Sequence, residues 1–210
     1  MKRLFKAIDN NGIWGIYIFF SLLRNYIRVY WIRKLLQVPD IYFQGAPKII
    51  NRNSIFFGKN FQCGKGAWIE SIGNVVDGAE NSPKIIIGDN FTASEYLHIG
   101  SAHSVLIGEN VLIGSHVLIT DHGHGSYGSD GSHPDVAPNS RHLSVRGPVV
   151  IGNNVWLCDG VKILSGVTIG NGVVVAANCV VRENIPDNSI YDGRVVKRYN
   201  QIEKKWSIDE

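Results

Sequence analysis

The 210-residue sequence predicts an all-β domain wound as a parallel β-helix, and three observations predict it. From Ile151 to Pro186 the chain repeats every six residues without a slip. The first place of each six is Ile, Leu or Val: Ile151, Leu157, Ile163, Ile169, Val175 and Val181. The fourth is Asn154, Gly160, Gly166, Gly172, Asn178 or Asn184, and the fifth is apolar throughout. Gly and Asn tolerate positive φ at low steric cost, so the fourth place is a corner between two short strands. A first-place residue then points inward and packs on its copies in the coils above and below. Three sixes make a triangular coil, so counterparts stack roughly eighteen residues apart.

In chain order, residues 1–36 carry no sixes. An uncharged run from Asn10 to Leu23 leads into Arg24, Arg28, Arg33 and Lys34, interleaved with Tyr26, Ile27, Tyr30, Trp31, Leu35 and Leu36. The run is shorter than the ~20 residues of a spanning helix. With Asp9 near its start and no small-residue cleavage site, it does not read as a signal peptide. One or two helices are expected. They either cap the open end of the coils, or a neighbouring subunit, or rest on the inner membrane as an interfacial helix. Val38 to Asn53, with Pro39 and Pro47, reads as a linker, so residues 1–53 form the N-terminal segment. The β-helix domain spans residues 54–186. Its sixes begin near Phe57, break in an excursion from Asn74 to Pro83, and resume at Ile87. They continue through Ile99, Ile107, Ile113 and Ile119. Between about 122 and 147 the pattern vanishes in a Gly-, Pro- and Ser-rich stretch too long for a corner, and such loops are usually functional. Residues 187–210 form a tail expected to fold back as a short strand or helix.

A net charge of +3 without a basic block in the coils argues against a nucleic-acid partner. Cys63, Cys158 and Cys179 are odd in number and include no Cys-x-x-Cys, which excludes a disulfide framework or thiolate zinc site and suits a reducing cytoplasm. Cys63 and Cys179 stand at inward places.

Several motifs carry a resemblance. They are the sixes, the loop opened by Thr120-Asp-His122-Gly-His124-Gly, and the return Gly147-Pro-Val-Val-Ile-Gly-Asn-Asn-Val-Trp156. Val180-Val-Arg-Glu-Asn-Ile-Pro186 completes the set. Over about residues 55–198 the chain is similar to hexapeptide-repeat acyltransferases of the left-handed parallel β-helix type. Within them it most resembles the O-acetyltransferases of bacterial surface polysaccharides such as O-antigen, capsule and colanic acid. Arg141-His-Leu143 and Lys204-Lys-Trp206 fit that group. The resemblance implies a homotrimer that transfers acetyl from acetyl-CoA to a sugar hydroxyl of a polysaccharide or its precursor. The activity is expected in the cytoplasm, with peripheral inner-membrane contact through residues 1–36 as an open question. Two alternatives stand beside it: an N-acetyltransferase on a nucleotide-linked amino sugar or other small molecule, and a non-catalytic assembly module.

Acyl transfer to a sugar hydroxyl needs a positioned base, and neutral His is the side chain best poised for it. In the galactoside-type relatives the catalytic His lies five places after the last inward residue before the loop. His124 stands five places after Ile119 and matches. His122 is the alternative, or else orients the base or binds acceptor with Asp121 as partner. The resemblance puts Trp156 at the acetyl-CoA site between subunits, shaping the acyl pocket. Ala176 and Ala177 leave a flat strip for a pantetheine arm, and Arg182, Lys197 and Arg198 are cations for the coenzyme phosphates. Gly193-Arg-Val-Val departs from the Gly-x-Pro-Ala common in the family at this point. Arg141 and Arg146 are loop cations for the acceptor, with Asn90, Tyr96 and Ser115 as further acceptor candidates. No metal is expected. His98 and His103 have the spacing of two ligands in β-helix carbonic anhydrases, but the third His is missing.

Overall fold

In the computed structural model the described residues are 13–72, 84–126, 132–201 and 203–208. Short strands alternate in strict rotation among three parallel sheets, the faces of a left-handed triangular prism. Sheet A begins with Ile41–Phe43 and Phe61–Cys63, sheet B with Lys48–Ile50 and Trp68–Ser71, sheet C with Ile55–Phe57 and Lys84–Ile87. In the upper coils Trp156 pairs with Val174, Lys162 with Val180 and Val150 with Thr168, the eighteen-residue step the sixes predict.

The corners bear out the fourth-place reading at five of the six positions. Asn154, Gly160, Gly166, Gly172 and Asn178 all have positive φ. Asn184 does not take that conformation. Its side-chain oxygen instead accepts the Thr168 N–H at 2.8 Å, which closes the last corner by a side-chain bond.

The core is a column of inward residues. Ile99, Ile119, Ile163 and Val181 stack on sheet B, and Ile87, Ile107, Ile151 and Ile169 on sheet C. Each large aliphatic chain removed from water contributes roughly 1.5–3 kcal/mol before chain entropy is charged against it. Phe43, Phe57, Phe61 and Phe91 fill the wider lower end, with Phe61 stacked on Phe91 at 5.0 Å. Burial pushes the Cys63 thiol up to about 12, so it is an inert packing group.

Residues 38–53, read above as a linker, instead carry the first coil. Ile41–Phe43 pairs with Phe61–Cys63, and Lys48–Ile50 with the strand from Trp68. The sixes are hidden there because the coils are longer. Ile41 stacks twenty residues from Phe61, and Gln62 thirty from Thr92. The excursion expected at 74–83 lies outside the described residues.

Helix α1 (Ile13–Leu36) is one element. Val29, Ile32 and Leu36 pack on the open end of the coils, as the capping view expected. Arg33 Nε donates to the Ile41 carbonyl at 2.9 Å, and Arg52 Nη2 to that of Leu36 at 2.7 Å. Asn25 and Arg28 reach Tyr42 and the Gln44 carbonyl, whereas Trp14, Tyr17, Phe20, Tyr26 and Trp31 are exposed. Among the described residues no helix is long and apolar enough to cross a membrane. The tail forms an antiparallel hairpin, Val195–Asn200 with Lys205–Ile208, that extends sheet A past Ser189–Tyr191.

Candidate active site

The long loop leaves sheet B after Leu118–Thr120 and returns to sheet C at Val149–Ile151. Both ends therefore meet at the corner between those sheets. Ser165 clasps them. Its Oγ donates to the Asp121 carbonyl and accepts the Arg146 N–H at 2.8 Å.

Asp121 turns inward at the loop's exit and is fully buried. Its carboxylate accepts Ser101 Oγ at 2.8 Å and the backbone N–H groups of Ala102 (2.7 Å), His103 (2.9 Å) and Ser104 (2.6 Å). Burial works against ionisation here. The hydrogen bonds from His122 and from the 101–103 turn outweigh it and hold the carboxyl below its ordinary 3.8. Asp121 was expected to meet the acceptor. It is closed off from any ligand and organises the corner instead.

His122 folds back over sheet B. Its Nδ1 lies 3.2 Å from Asp121 Oδ1 and 3.2 Å from Thr120 Oγ1, and its ring is 14% exposed. His124 sits in a two-stranded hairpin, Gly123–His124 against Leu143–Ser144, and is exposed. Ser144 Oγ pins the hairpin through the Gly125 carbonyl at 2.7 Å. Beside these elements opens a cavity of about 620 Å³. His122, Ser144, Arg146, Leu164, Ser165 and Arg182 line it, as do Gly123 and Gly125 on either side of His124. Among the described residues no acidic side chain lines the cavity, and Arg146 and Arg182 give their side of it a positive character.

The predicted residues thus divide. His122, His124, Arg146 and Arg182 gather at the B–C corner. Trp156 lies on the outer side of sheet A, 47% exposed, in register with Leu112 and Val174. Ala176 and Ala177 follow it at the A–B corner, and Lys197 and Arg198 lie on the tail hairpin. Arg141, expected to clamp the acceptor, directs its guanidinium to the carbonyls of Val136 (2.8 Å) and Pro134 (3.1 Å) and so shapes the loop. Asn90 is a rung in an amide ladder at the A–C corner, bonded to Asn60 and Asn110 at 2.9 Å each. Tyr96 stacks on His116 at 4.7 Å, and Ser115 bonds Asp159 and Gly160, all at the A–B corner. Within one chain these three do not reach the cavity. Ser144, Leu164 and Ser165 went unread in the sequence, because small or apolar residues near a loop neck look like ordinary coil. Among the described residues no group of three or more His, Cys, Asp or Glu side chains is placed to hold a metal ion.

Residues 148–183 match the model of the bacterial transferase hexapeptide, six repeats. Over 163 residues the chain is 43% identical to WbbJ of Escherichia coli, whose name assigns it to lipopolysaccharide biosynthesis as an O-acetyl transferase. That match covers 75% of this chain and 79% of the relative. The chain belongs to the hexapeptide-repeat acetyltransferases. It is also 35% identical to the galactoside O-acetyltransferase of Escherichia coli, over 68% of this chain and 66% of that one. Among solved structures it resembles a maltose O-acetyltransferase from Clostridium difficile, with 28% identity and a TM-score of 0.51 over 71% of this chain and 73% of the other. A mutant of the N-acyltransferase AntD from Bacillus cereus, solved with dTDP and coenzyme A, shares the fold. Its TM-score is 0.59 at 19% identity, over 81% of this chain and 90% of that one. In this hexapeptide-repeat acetyltransferase the two histidines and the cavity lie at the corner where the repeats are interrupted.

Proposed function

We propose that this protein is an acetyl-CoA-dependent O-acetyltransferase acting on a sugar hydroxyl of a bacterial surface polysaccharide or its precursor. The observation that carries the reading is a cavity lined by His122 and two arginines with the His124 strand beside it, in a chain 43% identical to a lipopolysaccharide O-acetyl transferase over most of its length. His124 takes the proton of the acceptor hydroxyl as the oxygen attacks the thioester carbonyl directly. The tetrahedral intermediate collapses, the carbon–sulfur bond breaks, and the imidazolium returns the proton to the leaving coenzyme thiolate. Arg146 and Arg182 supply positive charge where the carbonyl oxygen and the coenzyme phosphates carry negative charge.

The register that gives His124 the base comes from the galactoside enzymes, to one of which the chain is 35% identical. His124 is also the member of the pair left exposed for a second surface to meet. A second reading gives the base to His122, because the carboxylate behind its Nδ1 orients the ring as a base needs. The two separate by measurement. With saturating acetyl-CoA, His124→Ala lowers kcat about 10²–10⁴-fold, while His122→Ala raises the acceptor KM. The opposite pattern moves the base to His122. Unchanged rates in both variants end the transferase mechanism.

Trp156, Ala176, Ala177, Lys197 and Arg198 belong in this reading to the coenzyme groove of a homotrimer, completed by the cavity of the next copy. The bare part of helix α1, aromatic and flanked by the basic side chains of Arg24 and Lys34, is read as an interfacial contact with an anionic membrane. Three unpaired cysteines fit a cytoplasmic location.

A further inference from the structure

Gly100 sits in the strand His98–Ser101, in register with Glu70 on one side and Thr120 on the other. Its neighbour Ile99 points into the core, so Gly100 belongs to the outer side of sheet B, yet it is buried. The cover is His122. A Cβ at Gly100 would lie 3.2 Å from His122 Cε1, inside the distance at which carbon atoms pack at rest. His98 Nε2 and Glu70 Oε1 stand further off, at 3.7 and 3.8 Å. The Gly100 backbone is not left-handed, so no turn requires a glycine. Glycine weakens a strand, and inside one it often marks the close approach of another group. At this rung the approaching group is an imidazole.

A second edge of the same ring is held by polar contacts. Nδ1 lies 3.2 Å from Asp121 Oδ1 and 3.2 Å from Thr120 Oγ1. The Asp121 carboxylate already accepts Ser101 Oγ and three backbone N–H groups, so it meets the ring as an acceptor and Nδ1 carries the proton. The lone pair is then on Nε2, which has no hydrogen-bond partner among the described residues. The ring lines the cavity. A methyl group at Gly100 would push its Cε1 edge away from the sheet by a few tenths of an ångström. The Nδ1 contacts are at the long end of hydrogen bonding already, and that shift would open them.

We infer that Gly100 is a positioning residue: its missing side chain lets the His122 ring lie on sheet B, where Asp121 and Thr120 fix the tautomer and Nε2 is left as the accepting nitrogen. Gly100 touches neither substrate nor coenzyme and acts through His122 alone. Its effect on turnover rests on the transferase reading, and it holds for either role of His122. If His122 binds the acceptor, a displaced ring raises the acceptor KM. If His122 is the base, a displaced ring lowers kcat.

The first test is imidazole nitrogen NMR on the full chain above neutral pH, with the His122 signals identified by their loss in His122→Ala. The native ring should show one tautomer, protonated at Nδ1. Gly100→Ala should show a mixture of tautomers, with acetyl-CoA affinity by calorimetry unchanged. The second test is a mutant cycle in turnover, with acetyl-CoA and methyl glycosides of glucose, galactose and N-acetylglucosamine as acceptors. Gly100→Ala should lower kcat/KM for the acceptor about 10- to 100-fold in the native background, the scale of a slightly misplaced group, and change nothing further in the His122→Ala background. Melts report the folding of each variant. A native ring with mixed tautomers overturns the inference, as does a Gly100→Ala chain with native spectrum and rates. An equal penalty in both backgrounds also overturns it, since Gly100 would then act on the fold and not on His122. If Gly100→Ala does not fold, or no glycoside turns over, the native spectrum decides. A chain that fails to bind acetyl-CoA overturns the transferase reading instead, and the tautomer result is judged alone.

Discussion

Four donors converge on Asp121, two of them buried and two partly buried, and all four would lose their acceptor if the carboxylate were removed. Asp121→Ala should therefore cost on the order of 3 kcal/mol at neutral pH, a fall in Tm of about 6–12 °C for a chain of this size. The pH dependence follows from the lowered carboxyl. A depressed folded pKa adds stability above the unfolded value near 3.9, and that contribution is lost as pH falls through the folded value. Asp121→Asn, which carries no such charge, should differ from wild type most at neutral pH and approach it as pH falls through the lowered folded value. Melts across that range check it, and a constant gap would contradict it. What was legible at this scale was residue type at a fixed period. Corner residues and the histidine pair stood out, but Ser144, Leu164 and Ser165 did not. Ser165 meets Asp121 and Arg146 only because the coils stack, across 44 and 19 residues of sequence, which a six-residue period does not reveal.

Helix α1 divides into two parts with different work. Ile32 and Leu36 pack against the end of the core and Val29 is buried, whereas Trp14, Tyr17 and Phe20 are exposed. An apolar helix with no acidic residue and four basic ones is suited to anionic lipid. Deleting residues 1–36 would uncover the first coil and should lower stability, so it cannot isolate a tether. Replacing Trp14, Tyr17 and Phe20 by Ser should leave the melt and the turnover of a soluble acceptor unchanged. The same variant should no longer sediment with vesicles rich in phosphatidylglycerol. Retained sedimentation, or a smaller oligomer without vesicles, would instead assign this surface to another copy of the chain. The sequence showed an aromatic and basic segment here. It hid the first coil, because prolines and long corners masked strands only three residues long.

At the scale of the whole prism, the proposed machinery is split between surfaces that one chain cannot bring together. His122, Arg146 and Arg182 face the B–C corner. Trp156 faces outward from sheet A within an apolar stripe that includes Leu112, both close to half exposed. A ring in which sheet A of one copy meets the loop corner of the next would cover that stripe and close after three copies. Light scattering should give three times the chain mass of 23.3 kDa. Mixing supplies a sharper test. His124→Ala and Trp156→Ala should each be nearly inactive as pure proteins. In a ring, a site takes its histidine from one copy and its tryptophan from the next. Random co-assembly of the two variants in equal amounts then restores both residues at about one quarter of the sites. Co-expressed mixtures should recover about that share of wild-type activity, whereas separately assembled proteins combined afterwards should recover none until subunits exchange. If each site were built within one chain, every site in the mixture would lack one residue, and no order of mixing would restore activity.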